Sequence, residues 1–155
     1  MKSNQVESIG VRLRQFWLAD GNPVLQSPAT AQEILSFEQN NNIVMPPDFA
    51  MYLKCQNGFD QYSGHQDAMG FNFWPLQDMA SLDVYDGGQF RAPGYSSYFL
   101  FCDYLDFSWG YALCMEKNEQ KIVLVGARDG IPKVVAESFS SFVDAYLRDA
   151  PSIYL

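Results

Sequence analysis

Three groups of residues in this chain of 155 carry side chains that could do chemistry. Asp103 and Asp106 lie three apart in Cys102-Asp103-Tyr104-Leu105-Asp106-Phe107. Two carboxylates so placed could act as general acid and general base. Aspartates also bond neighbouring backbone amides in turns, and a tight connection between two strands is the simpler reading. Asp60, His65 and Asp67 share one polar stretch and could converge on an ion, but their spacing matches no known ligand pattern. Cys55, Cys102 and Cys114 could supply a nucleophile, with His65, the sole histidine, as its base. All three cysteines lie in apolar periodic segments, where a thiol is expected to be buried and inert. The glycines of Asp86-Gly87-Gly88 follow no strand and open no phosphate-binding motif. The sequence therefore predicts no catalytic centre, no cofactor and no metal.

Composition narrows the classes that remain. Hydrophobic residues make up 48% and charged ones 18%, which argues against disorder. A chain of this length can bury one sizeable core without disulfides or metal, so residues 1–155 are expected to form a single domain. The formal net charge is −8. Such a surface repels phosphate backbones and anionic membranes, so neither nucleic acid nor membrane is expected as a partner. Three cysteines without a Cys-x-x-Cys pair fit a reducing cytoplasm. Residues 1–20 contain charges at Glu7, Arg12 and Arg14 and no apolar run, unlike a signal peptide or membrane span.

The elements that must position these groups are legible as two kinds of periodicity. Val6, Ile9, Leu13, Phe16 and Trp17 recur at helical spacing and predict a first helix over 4–19. A second helix starts at either Ser27, followed by Pro28, or Thr30, whose partner Glu33 would complete a capping box. Its apolar residues are Ile34, Leu35 and Phe37. Pro46-Pro47-Asp48 opens a third helix carrying Phe49, Tyr52 and Leu53, and Asn57-Gly58 stops it. Residues 70–76 read as a strand, 76–84 as a short helix and 86–97 as a long loop.

From Tyr98 the period becomes two. Phe99 to Cys102 is apolar throughout, as in a strand covered on both faces, and makes Phe101 a core residue. Residues 109–115 alternate large side chains with Gly110, Ala112 and Cys114, a small face that a helix could approach closely. Strands over 122–125 and 133–136 follow, joined by turns. Ser138 then caps a helix with Phe139, Phe142, Val143, Tyr146 and Leu147 on its buried side. Helices, then a meander, then a helix predict an α+β fold with five or six mostly antiparallel strands.

These motifs, in this order, resemble the SUKH superfamily, also called the Smi/Knr-type domain. Met45-Pro46-Pro47-Asp48-Phe49 with Tyr52-Leu53 and Asn57-Gly58-Phe59 is similar to its "Leu-Pro-x-Asp … Asn-Gly" helix. Phe73-Trp74-Pro75-Leu76-Gln77-Asp78-Met79 resembles its strand leading to a short helix. Phe99 to Asp103 with Ser108-Trp109-Gly110-Tyr111-Ala112 resembles its central hairpin. Val134 to Phe139, with Phe142 and Tyr146-Leu147, resembles its last strand and "Ser-Phe-x-x-Phe" closing helix. The likeness covers about residues 34–149.

The resemblance implies a non-enzymatic α+β protein-binding module. Bacterial members are similar to immunity proteins that neutralise a cognate toxin; fungal members regulate cell-wall synthesis through protein partners. An immunity protein of the cytoplasm is the leading expectation, a cytosolic regulatory adaptor the second, and a small hydrolase using Asp103 and Asp106 the third. The expected partner is a basic protein, a toxin domain on the leading reading. The expected binding face gathers Trp74, Tyr85, Asp86, Asp103, Tyr104, Asp106 and Trp109, because tyrosine and tryptophan anchor interfaces and carboxylates steer basic partners.

Overall fold

The helix borders fall where capping chemistry puts them. A computed structural model describes residues 2–62, 66–85 and 88–155, with side chains 2–8 left aside. Helix α1 covers Lys2–Asp20, α2 Ala31–Asn41 and α3 Pro47–Cys55. Thr30, not Ser27, caps α2: its hydroxyl accepts from the Glu33 amide at 3.1 Å, and the Glu33 carboxylate accepts from the Thr30 amide at 2.8 Å. That reciprocal pair satisfies two amides of the open helix end. Leu13 and Trp17 of α1 are fully buried and Ile9 and Phe16 partly so; Val6 of the predicted stripe lies outside the described side chains. In α2, Ile34 is buried and Phe37 packs on Phe99, but Leu35 faces solvent.

The strands are β1 (Phe71–Phe73), β2 (Ala80–Ser81), β3 (Tyr98–Tyr104), β4 (Trp109–Cys114), β5 (Ile122–Val125) and β6 (Lys133–Ala136), followed by α4 (Phe139–Leu147). Among the described residues they form one antiparallel sheet in the order β1-β3-β4-β5-β6, with β2 beside β1 on the same edge of β3. The α+β expectation is thus met. The strand expected over 70–76 stops at Phe73, and the helix expected over 76–84 shortens to a 3-10 turn, Leu76–Asp78, followed by β2. Two contacts divide it this way. The Trp74 amide donates to Phe101, and Leu82 donates to Tyr98, drawing both ends onto β3.

Each face of the sheet has its own core. Helices α1, α3 and α4 cover the larger one, where Phe49, Phe101, Phe139 and Phe142 interlock edge to face at centroid distances of 4.9–5.8 Å. Such geometry is favoured by the ring quadrupoles. Phe139, Phe142, Val143 and Tyr146 are fully buried, while Leu147 is half-buried. On the opposite face, Trp74, Leu82, Phe90, Leu100, Ala112 and Val123 form a smaller cluster. Here the small side of β4 does admit a close neighbour, but that neighbour is Phe90 from the loop and not an α-helix. A Cβ on Gly110 would stand 3.1 Å from the Phe90 ring. Phe90, in the 3-10 turn Gly88–Phe90, closes this core.

The motifs that carry the resemblance fasten these elements to one another. The Asp48 carboxylate accepts from the amide and hydroxyl of Ser140, joining α3 to the first turn of α4. The Asn57 side chain accepts from the Leu76 amide at 2.7 Å. Gly58 has φ +64°, and a Cβ there would lie 2.6 Å from the Trp74 carbonyl. Only glycine fits both the left-handed backbone and that approach. Among the described residues, no helix is long and apolar enough to cross a membrane.

Candidate partner-binding face

The face is built around the turn that joins β3 to β4. At the end of β3, Asp103 is 1% exposed. One carboxylate oxygen accepts from the Asn72 amide group at 2.9 Å and from Trp74 Nε1 at 2.7 Å, and the other accepts from the Phe107 amide at 3.1 Å. Burial raises the Asp103 pKa above the usual carboxylate range, although these three donors oppose the shift. The carboxylate therefore ties β1, the indole of Trp74 and the turn together.

The turn itself is strained. Leu105, Asp106 and Phe107 have φ of +48°, +50° and +66°. Left-handed backbone costs a non-glycine residue roughly 1–2 kcal/mol, so the surroundings must impose it. Each residue has its own tether. The Leu105 amide donates to Gly70 at 2.9 Å. The Asp106 carboxylate accepts from Gln66 Nε2 at 2.8 Å. The Phe107 carbonyl accepts from Gln89 Nε2 at 2.6 Å. Loops on both sides thus hold the tip, and Leu105 and Phe107 emerge from it each 49% exposed.

The residues expected at a partner surface divide between the two faces of the sheet. Trp74 is 5% exposed and, like Asp103, is interior; neither presents its side chain to a partner. Tyr85 is half-buried against Trp74 and Phe90, at 5.8 and 6.2 Å. Tyr104 and Trp109 are half-buried on the helix-covered side, stacked on each other at 4.7 Å. Trp109 Nε1 also donates to the Tyr111 hydroxyl at 2.9 Å. Asp106 is on the surface of the turn between the two sides, and Asp86 lies outside the described residues. Sequence reasoning passed over Leu105 and Phe107. Their signal was there: a two-strand turn with two large apolar side chains that a turn has no need of.

The other candidate chemistry is used structurally. Asp67 accepts from the amides of Met69 and Phe71 and from the Tyr146 hydroxyl, which itself accepts from Trp17 Nε1 at 2.8 Å. Burial raises the Asp67 pKa against those bonds. His65, its proposed companion at a metal, lies outside the described residues, and among the described ones no three acidic, cysteine or histidine side chains are placed to hold a metal ion. Cys102 is buried and burial pushes its thiol pKa well up, which suppresses the thiolate. Among the described residues, shallow surface clefts are lined by α2, by the α1–α2 connection and by the β4–β5 turn, and these three do not include Asp103 or Asp106.

Charge is unevenly spread along the chain. Residues 55–116 contain eight carboxylates and one base, Arg91, and so carry seven of the eight net negative charges. In the fold that charge is dispersed: Asp67 and Asp103 are buried, Glu116 lies at the far end of β4, and the register of β4, β5 and β6 brings Arg128 and Lys133 to the β3–β4 end. Comparison with known proteins gives one family: a model of the SMI1 / KNR4 family (SUKH-1) matches residues 28–145, from the segment before α2 into α4. Comparison with curated proteins finds no match.

Proposed function

The chain belongs to the SMI1 / KNR4 family (SUKH-1), and from that premise we propose that it is a non-enzymatic protein-binding module, an immunity protein that captures and neutralises a cognate toxin in the cytoplasm. The observation that carries this reading is the family match over residues 28–145, and the net charge of −8 adds the sign of the partner. A field of one sign steers an oppositely charged protein and raises its association rate. The partner is accordingly a basic toxin domain. The engaged carboxylates of Asp103 and Asp67, each saturated with donors, support binding over catalysis.

Co-expression with the product of the adjacent gene tests the proposal. Protection of the host from that product, together with a stable purified complex, is the expected result. Absence of both protection and complex rejects it. Complex formation without any toxicity to relieve favours a regulatory adaptor instead.

A further inference from the structure

We infer that the cleft between the last turns of α1 and the 23–28 segment receives the free C-terminal carboxylate of a peptide whose last residue is apolar, Arg14 holding the carboxylate and Leu18 and Leu25 covering the side chain. The site lies apart from the toxin-binding role proposed above and does not depend on it. Its volume is about 380 Å³, with Arg14 and Leu18 on one wall and Pro23, Leu25 and Pro28 on the other. That is near the small end for ligand sites, roughly 300–1,000 Å³, so it suits the end of a chain and not a folded surface. A buried amide holds Arg14 in place. Gln56 is 0% exposed, and its Nε2 donates to the carbonyls of Gln26 and Gly58. With those donors committed, its Oε1 accepts from Arg14 Nη1 at 2.8 Å. A guanidinium carries further N–H donors in the same rigid fork. Arg12 spends its own on Asp144 at 3.2 Å, whereas Arg14 makes no ion pair among the described residues. The facing wall is equally fixed. The Gln26 amide donates to Gly58 at 3.0 Å, the Asp60 amide to Val24 at 2.6 Å and the Ala29 amide to Leu53 at 2.8 Å. A cleft formed before contact loses little freedom on binding.

Charge and spacing together select the occupant. The planar guanidinium matches a carboxylate with two parallel hydrogen bonds. Leu18 follows Arg14 by four residues, on the same side of α1, and is 59% exposed. Positions so related stand about 5–6 Å apart at Cβ. A C-terminal residue carries its carboxylate and its side chain on one Cα, and so offers a charge and an apolar group at that separation. An aspartate or glutamate inside a chain brings peptide groups on both sides instead. Those groups would meet Leu18, Pro23 and Pro28, and the prolines have no amide to give them. A small anion would satisfy Arg14 and leave Leu18 uncovered. Asp20, at the end of α1, is already engaged by the amides of Asn22 and Ala68, at 3.1 and 2.8 Å.

Amide chemical shifts of the labelled full chain, titrated into the millimolar range with acetyl-Ala-Ala-Leu bearing a free carboxylate, test the assignment without any toxin. The peptide should move amides of 14–18, 24–27 and 56–58. Arg14→Gln should weaken binding about tenfold or more, the cost of losing a charged hydrogen-bond partner, with the remaining spectrum unchanged as proof of folding. Arg12→Gln should leave affinity as it was. Leu18→Ser should weaken acetyl-Ala-Ala-Leu but not acetyl-Ala-Ala-Gly. The same leucine peptide with an amidated end should bind about tenfold more weakly or worse. The assignment is overturned by no binding, by shifts centred elsewhere, by an Arg14→Gln chain that binds as well as the parent, or by equal affinity for the amidated peptide, for acetate or for a doubly capped peptide with an internal aspartate. The protection experiment reads the toxin role alone, so its failure would leave this site standing, and a negative titration would leave the toxin role standing.

Discussion

Asp48 and Ser140, 92 residues apart, meet through two hydrogen bonds: the Ser140 amide donates to Asp48 at 2.9 Å and its hydroxyl at 2.7 Å. A carboxylate from one helix thus caps another, where the open amides and the helix dipole favour negative charge. Asp48→Ala should cost about 1–2 kcal/mol in urea denaturation, and Ser140→Ala about 0.5–1 kcal/mol because its amide bond survives. The double variant should lose less than the two costs added. Strict additivity would show that the two residues do not act as a pair.

Gly58→Ala should destabilise by at least about 2 kcal/mol, since a Cβ meets both left-handed strain and the Trp74 carbonyl. Gly94 makes a useful control. It too has positive φ, but a Cβ there meets nothing within 4 Å, so Gly94→Ala should cost only the backbone part. Equal midpoints for the two variants would rule out the close approach at Gly58.

Tyr52→Phe should be neutral or stabilising by up to about 1 kcal/mol. The Tyr52 hydroxyl is buried, and the Gly58 amide, though near enough to act on its pKa, makes no well-formed hydrogen bond to it. Removing a desolvated group without a partner relieves a cost and opens little space. A loss above about 1 kcal/mol in thermal or urea unfolding would mean that the hydroxyl has a partner after all.

Burial raises the pKa of Asp67 and of Asp103 in the folded chain. The folded values lie above the unfolded value near 3.9, so between the two the native state holds more protons. Stability then falls as pH rises through that window, and the penalty is complete above the folded pKa and gone below the unfolded one. Asp103→Asn removes one of these groups and misplaces a donor against Trp74 or Phe107, so it destabilises at every pH. Its cost should grow as pH is lowered from 7.5 toward 4.5, because both chains gain from protonation of Asp67 but only the parent gains from protonation of Asp103. A cost that shrinks on acidification would reverse the assigned direction.

How far the sequence could be read depended on whether a signal was local. Thr30 with Glu33, Ser138 before Phe139, and the period-two run of β4 each carry their reason within a few residues, and the corresponding elements formed there. Phe90 was out of reach, because only the folded sheet brings Gly110 under its ring. Asp103 was legible as a turn residue but not as an interior one: its three donors come from Asn72, Trp74 and Phe107, two of them about thirty positions away. The positive φ of Leu105 and Phe107 had no sequence mark, since neither residue favours that backbone and the tertiary ties impose it.

Helix α1 separates two ideas of a boundary. The family likeness begins at residue 28, yet Trp17 of α1 is fully buried, packs on Phe59 and Phe73, and donates to Tyr146. Ile153, beyond the other end of the match, is buried too and accepts from the Tyr111 hydroxyl. A chain trimmed to the matched residues would therefore lack an indole from the middle of its interior and the carbonyl that engages Tyr111 of β4. The stretch that resembles the family is shorter than the stretch that packs as one core.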